Sequence, residues 1–164
     1  MKKVIETILN TLKLISGLLL LTIFFLYIIN IALRYFLGNS WLWIPDFTRL
    51  LFIWTVFTGT TYMYGKKGHL VMDFFVSKMR DKRKKMLRFI IDLFQMVLMM
   101  ILIIKGIEIT KTRMRIPFAT WDFPTGYAYA AVPICSFIML VISIHRVTDE
   151  LIQYRKGGEN YERS

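Results

Sequence analysis

Two residues of opposite charge stand three positions apart at the start of a long apolar run. Asp46 and Arg49 directly precede the apolar residues 50–54. A carboxylate and a guanidinium at this spacing lie on one face of a helix, within reach of each other. Pro45 suits a first helical position, and the positive end of the helix dipole favours Asp46 in the first turn. We therefore expect Asp46 and Arg49 to form a helix-end pair or to hold a partner subunit.

The other residues capable of chemistry do not form a catalytic pattern. Ser40 or Ser136 would need a histidine base, and neither His69 nor His145 comes with a third triad member. Cys135 is the single cysteine, so an internal disulfide is impossible. One cysteine and two distant histidines have no metal-ligand spacing, and no glycine loop could cradle a phosphate. The sequence predicts no enzyme, no catalytic residue, no metal site and no cofactor.

The elements that position these residues are long and apolar. The chain has 164 residues, of which 55% are hydrophobic, whereas soluble domains contain about 45–50% apolar residues. A transmembrane helix needs about 20 mostly apolar residues. Four segments qualify, at about residues 14–33, 46–64, 87–109 and 126–144. The predicted fold is an all-α integral membrane protein, a single membrane domain over residues 1–164 with a polar tail from about residue 147.

Lysine and arginine residues predict the orientation of these spans. With four spans, both termini and the second loop share one side, which carries sixteen basic residues against six on the other side. The side richer in lysine and arginine is cytoplasmic. The formal charge of +11 is therefore mainly a topology signal and not a sign of nucleic-acid binding. The first span follows Lys2 and Lys3, yet it is too long for a signal peptide and lacks a cleavage site, so we expect it to remain as an anchor.

The second loop has an amphipathic pattern of its own. Its apolar residues recur at helical spacing and are followed by a basic tail, at Leu70, Val71, Phe74, Phe75 and Met79 and then from Lys82 to Lys85. This composition is typical of a helix that lies in the membrane interface. We expect such a cytoplasmic interfacial helix at about residues 69–85; the alternative is an ordinary basic loop.

Polar residues within the spans favour packing over transport. Small and hydroxylated residues follow one face of the second span, namely Thr55, Thr58, Gly59 and Tyr62, and a similar stripe on the fourth span comprises Ala128, Ala131 and Cys135. Such faces let helices approach closely. Pro133 should kink the fourth span or free a carbonyl. No aspartate, glutamate or histidine falls at the middle of a span, where an ion-coupled carrier needs its ligands.

Four short motifs resemble those of a known family. Asn30-Ile-Ala-Leu-Arg34-Tyr35 closes the first span, and Trp43-x-x-Asp46-x-x-Arg49-Leu-Leu-x-x-Trp54 opens the second. Gly65-Lys-Lys-Gly-His69-Leu-Val-Met-Asp73 follows, and the last span carries Tyr127 and Val132-Pro133. Their order and spacing resemble the DctQ-like small membrane subunit (Q subunit) of tripartite ATP-independent periplasmic (TRAP) transporters. In that family the acidic residue three positions before the arginine is usually glutamate, so Asp46 is a conservative departure.

The resemblance, which covers residues 10 to 150, implies a function that the composition does not. The small, non-catalytic permease subunit of this family works with a large multi-span transport subunit that carries a sodium-coupled path. A periplasmic substrate-binding protein delivers an organic acid, such as a sialic acid or a dicarboxylate. The small subunit enlarges the scaffold of the large one and helps to dock the binding protein. This chain would be the unfused form, in the bacterial inner (cytoplasmic) membrane and in contact with its lipids.

The resemblance also suggests roles for individual residues. Asp46 and Arg49 would fix the start of the second span against its neighbours or the large subunit. His69 and Asp73 would shape the start of the cytoplasmic interfacial helix. The candidate contacts to the binding protein are Arg34, Arg113, Arg115, Trp121 and Asp122. Two other functions stay open at this point: a stand-alone four-helix membrane assembly or sensor protein, and a small carrier that acts alone as an oligomer.

Overall fold

Four long helices and one short helix make up the described fold. The computed structural model describes residues 2–38, 41–67 and 81–159. The long helices are α1 (Lys2–Leu37), α2 (Ile44–Lys67), α3 (Asp81–Arg113) and α5 (Ala131–Glu159), and α4 (Gly126–Tyr129) is a single turn before α5. Over these ranges the chain contains no β-strand. The prediction of an all-α membrane protein is confirmed.

Three of the long helices are both long and apolar enough to cross a bilayer. Their candidate spans are Lys3–Phe36, Ile90–Arg113 and Gly126–Thr148. The helix α2 has 24 residues, a length of about 36 Å at 1.5 Å per residue, but it contains no stretch as apolar as these three spans. Thr48, Thr58 and Thr61 of α2 are buried against neighbouring helices. A helix enclosed by protein needs less apolar surface than one that faces lipid.

The helices pack in the order α1, α2, α5, α3. The packing partners are α1 with α2, α2 with α5, and α5 with α3. Gly59 of α2 lies opposite Ser16 and Gly65 opposite Leu9, so α1 and α2 are antiparallel. The central cluster is formed by Met99 of α3 with Cys135 of α5 and Met139 of α5. Arg146 of α5 hydrogen-bonds the Tyr64 carbonyl near the end of α2, so the start of α1 and the end of α5 lie at the same end of the bundle.

We call this end the Arg146 end, and we call the opposite end, which carries the start of α2, the Asp46 end. At the Asp46 end, Gly38 terminates α1 with a φ of +64°, a left-handed conformation that favours glycine. Between α3 and α4 lies the loop of residues 114–125, which we call the hairpin loop. Its two arms are joined by an antiparallel bridge between Pro117 and Pro124 and by a 3.0 Å hydrogen bond from the Phe118 amide to the Phe123 carbonyl.

The helical interruption near Pro133 has a simple chemical reason. Proline has no N–H to donate to the carbonyl one turn earlier, which here belongs to Tyr129. Helices α4 and α5 are accordingly separated by one residue, Ala130. Residues 147–159 of the predicted polar tail continue α5 as helix. Residues 81–85 of the predicted interfacial helix belong to α3, whereas His69, Asp73 and the rest of that prediction lie outside the described residues.

Candidate functional site at the Asp46 end

Asp46 binds the hairpin loop. Its Oδ2 accepts a 2.9 Å hydrogen bond from the Thr120 amide and a 2.6 Å bond from the Thr120 hydroxyl. Asp46 precedes the apolar stretch of α2, which begins at Leu50. These two hydrogen bonds, helped by the charge of Arg49, hold the pKa of Asp46 below its ordinary value of 3.8. The carboxylate is thus ionised at neutral pH and ties the first turn of α2 to a loop 74 residues away.

Arg49 acts on Asp46 through its charge but forms its hydrogen bond with another residue. Its Nη2 donates a 3.3 Å hydrogen bond to the hydroxyl of Tyr129, while the hydrogen bonds of Asp46 go to Thr120. The guanidinium of Arg113 lies 5.5 Å from the centre of the same Tyr129 ring, a cation–π distance. Arg49 of α2 and Arg113 of α3 therefore both contact Tyr129 of α4.

Six aromatic side chains form a continuous series of ring contacts across the Asp46 end, which we call the aromatic ladder. Consecutive rings lie between 4.7 and 6.0 Å apart, in the order Trp41, Trp43, Phe47, Trp121, Phe123 and Tyr127. These are the spacings of favourable aromatic pairs. Trp54 adds a 3.0 Å hydrogen bond from its indole nitrogen to the Tyr127 carbonyl. The ladder and the Asp46 bonds join the start of α2, the hairpin loop and α4 into one unit.

The five candidate contacts to a binding protein all lie at the Asp46 end, on two separate parts of it. Arg115, Trp121 and Asp122 are exposed on the hairpin loop, next to Arg113 at the end of α3. Trp121 keeps 38% of its surface exposed although it belongs to the ladder. Arg34 is exposed in the last turn of α1, which packs mainly on α2. The structure thus brings four of the five together.

The predicted packing faces lie at helix contacts, with differences in detail. Ala128, Ala131 and Cys135 are buried, as is Thr58, whereas Thr55, Gly59 and Tyr62 are half-buried. The hydroxyls of Thr55 and Thr58 donate to carbonyls of α2 itself. A methyl group at Gly59 would meet Ser16 Cβ at 3.9 Å, an ordinary contact, so the close approach between helices lies elsewhere.

One close approach in the core joins α3 and α5. A Cβ at Gly106 would lie 2.9 Å from Cδ and 3.2 Å from the nitrogen of Pro133. Gly106 is buried, and the proline ring is rigid. Pro133 therefore acts as a packing residue against Gly106. Sequence reasoning missed Gly106 because a lone glycine in an apolar run gives no sign of what faces it.

At the opposite end of the bundle, Arg146 of α5 contacts α2. Its Nη2 donates a 3.1 Å hydrogen bond to the Tyr64 carbonyl, one of the last carbonyls of α2, and its guanidinium lies 5.0 Å from the Tyr64 ring centre. A cation at a helix C-terminus satisfies free carbonyls and is favoured by the dipole. The Tyr64 hydroxyl donates to Gln95 Oε1 at 3.2 Å, so α2, α3 and α5 meet here.

The chemistry of the described residues is that of a packed membrane protein. In the described ranges no three histidine, cysteine, aspartate or glutamate side chains are grouped so that they could hold a metal ion. Three candidate spans, small residues at helix contacts and an aromatic, charged cap at one end define a multi-pass membrane protein.

The family of this membrane protein follows from comparison with known families. Residues 23–152 match the model of the DctQ component of tripartite ATP-independent periplasmic transporters. The chain belongs to the DctQ family, so it is a small component of a TRAP transporter, as the motifs around Asp46 and Arg49 predicted. No curated protein matches the chain.

Proposed function

We propose that the chain is the small, non-catalytic permease subunit that scaffolds the large transport subunit of its TRAP transporter. In this role it also helps to dock the periplasmic substrate-binding protein. The complex takes up an organic acid, such as a sialic acid or a dicarboxylate, by cation-coupled transport, with sodium as the ion that the family pattern implies. Membership of the DctQ family supports this assignment.

The observation that carries the scaffold role is the exposure of α1. In the most apolar 18-residue stretch of α1 no residue is buried, against 39% in the corresponding stretch of α5. The helix order α1, α2, α5, α3 leaves α1 attached mainly to α2. Such an arrangement offers broad apolar faces to lipids and to a partner subunit, and these faces are the surface that a scaffold subunit contributes.

The Asp46 end supports the docking role. The hairpin loop is held by Asp46, by its own hydrogen bonds and by the aromatic ladder. A preorganised surface loses little conformational entropy on binding a partner. Trp121, Asp122 and Arg115 are exposed on this loop, and Arg113 and Arg34 extend the surface along the same end. These five residues are our proposed contacts to the binding protein.

The distribution of basic residues supports the orientation. The sequence assigns sixteen lysines and arginines to the side of the two termini and the second loop, and six to the other side. The start of α1 lies at the Arg146 end, so this end faces the cytoplasm. The Asp46 end then faces the periplasm of a cell with an inner membrane, where a soluble binding protein would meet it. His69 and Asp73 would lie on the cytoplasmic side.

The experiment that tests this function compares complete and incomplete transporters. The chain, the large subunit and the binding protein are purified and reconstituted in liposomes with an imposed cation gradient. We expect the chain to co-purify stoichiometrically with the large subunit and uptake to require all three proteins. A chain that is monomeric and dispensable for uptake would contradict the proposal, and uptake by the chain alone would identify it as a carrier.

A further inference from the structure

A cleft opens beside the end of α3, next to the surface assigned to docking, with which it shares Arg113. Its volume is about 480 Å³, and it is lined by Lys105, Glu108, Ile109, Thr112, Arg113 and Tyr129. All but Tyr129 come from two turns of α3, and Tyr129 comes from α4. Residues of the hairpin loop do not line it.

The charges around this cleft leave an excess of positive charge. Glu108 is matched by Lys105, whose Nζ lies 2.7 Å from Glu108 Oε2. Arg113 faces the Tyr129 ring, and Arg49 donates to the hydroxyl of the same tyrosine. Among the described residues, no carboxylate forms an ion pair with either guanidinium. Arg113 lines the cleft and provides donors suited to an anion, whereas Arg49 lies outside the lining and its charge acts on Asp46.

The depth of the cleft indicates where such an anion would come from. Arg113 is the last residue of a candidate span that begins at Ile90, so it lies at the headgroup level. Lys105 lies eight residues earlier, about 12 Å deeper along the helix, and its long side chain can extend toward the interface. The exposed Ile109 lies between these two levels and provides an apolar wall.

We propose that this cleft binds the phosphate of an anionic phospholipid from the leaflet at the Asp46 end. The phosphate lies against Arg113 and Thr112, while Lys105 offsets the charge of Glu108. The glycerol and the acyl chains lie along Ile109 and the Tyr129 ring. The cleft is formed by exposed residues of a membrane span, so it opens toward lipid and favours a lipid phosphate over free phosphate from water. The proposal does not depend on the transporter partners.

The test measures lipid binding to the purified full-length chain after delipidation. Phosphatidylglycerol and phosphatidylcholine are titrated separately, and binding is followed by native mass spectrometry. Both lipids carry a phosphate, but phosphatidylcholine also carries a quaternary ammonium that Arg113 repels, so we expect phosphatidylglycerol to bind about tenfold more tightly, a difference of about 1.4 kcal/mol. Arg113→Gln should abolish this preference, and Arg113→Lys should restore most of it. Lys111→Gln, an equal charge change at an exposed α3 residue outside the cleft, should leave the preference intact.

Several outcomes would overturn the proposal. Equal binding of the two lipids, or an unchanged preference in Arg113→Gln, would remove the cleft as an anion site. Competition by millimolar inorganic phosphate as effective as that of the lipid would make free phosphate the ligand. Loss of lipid binding when the large subunit is added would assign the cleft to a protein contact. Because Arg113→Gln could impair folding, the melting temperature of each variant is measured in phosphatidylcholine alone.

Discussion

The carboxylate of Asp46 accepts hydrogen bonds from both the amide and the hydroxyl of Thr120, at 2.9 and 2.6 Å. This double contact joins the first turn of α2 to the hairpin loop. The ring of Phe47 lies 5.8 Å from that of Trp121, so the adjacent residues on both sides are also in contact. Helix and loop are thereby held as one surface.

Replacing Asp46 should loosen the hairpin loop. Asp46→Asn removes the charge that strengthens both bonds, and Thr120→Val removes one of the two donors. Hydrogen bonds to charged groups contribute about 1.5–3 kcal/mol when well shielded, and we expect about 1 kcal/mol at this exposed position. Hydrogen exchange at the Thr120 amide should accelerate in Asp46→Asn. Asp46→Glu, which keeps the charge, is the control.

A double-mutant cycle separates this contact from other effects. If Asp46 acts through Thr120, the losses of Asp46→Asn and Thr120→Val will not add in the double variant. Because hydrogen bonding lowers the pKa of folded Asp46, its contribution is complete above the unfolded pKa and is lost as pH falls through the folded pKa. Fully additive losses would show that Asp46 has another role.

Gly106→Ala should weaken the contact between α3 and α5. The new methyl group would meet Pro133 Cδ at 2.9 Å, and neither the ring nor the helix backbone can yield easily. Overpacking of this kind costs about 1–3 kcal/mol, which should lower the melting temperature of the purified protein. Gly17→Ala is the matched control, because a Cβ there meets nothing within 4 Å and alanine favours the helix. Equal melting temperatures for the two variants would contradict this packing.

The Asp46 region shows how far the sequence predicts such contacts. The length of the apolar runs predicted the all-α membrane fold, because lipid imposes a minimum apolar length on a spanning helix. The sequence also predicted that Asp46 begins a helix. It did not predict Thr120, since nothing local marks a threonine 74 residues away as the partner. Likewise, the spacing of three suggested Asp46 as the partner of Arg49, whereas in the tertiary structure Arg49 donates its hydrogen bond to Tyr129.

Arg146→Ala should destabilise the Arg146 end. The substitution removes both the hydrogen bond to the Tyr64 carbonyl and the stacking on the Tyr64 ring, together about 1–2 kcal/mol by typical values for such contacts. Thermal unfolding in detergent measures the loss. Glu6→Gln serves as the control, since its 3.9 Å pair with Lys66 is exposed and such pairs contribute little. A larger loss of thermal stability in Glu6→Gln than in Arg146→Ala would show that Arg146 is not the main stabilising residue of this end.

Arg49→Ala should reduce assembly with the large subunit or uptake by the complex. Tyr129→Phe distinguishes two routes to that loss, because it removes the hydroxyl that Arg49 contacts and keeps the ring. If Arg49 acts by positioning α4, both variants should lower complex yield. If Arg49 contacts the partner directly, only Arg49→Ala will do so. Normal yield and full uptake in Arg49→Ala would remove this residue from the functional site.

The orientation can be tested by labelling introduced cysteines in intact cells. The native Cys135 is 1% exposed, so it should give little background with a membrane-impermeant maleimide. Asp122→Cys, on the exposed hairpin loop, should react from outside the inner membrane once the outer membrane is permeabilised. Glu6→Cys, exposed near the start of α1, should react only after cell lysis, because the basic residues place that end in the cytoplasm. Labelling of Glu6→Cys before lysis, with Asp122→Cys protected, would invert the proposed topology and move the docking surface to the other end.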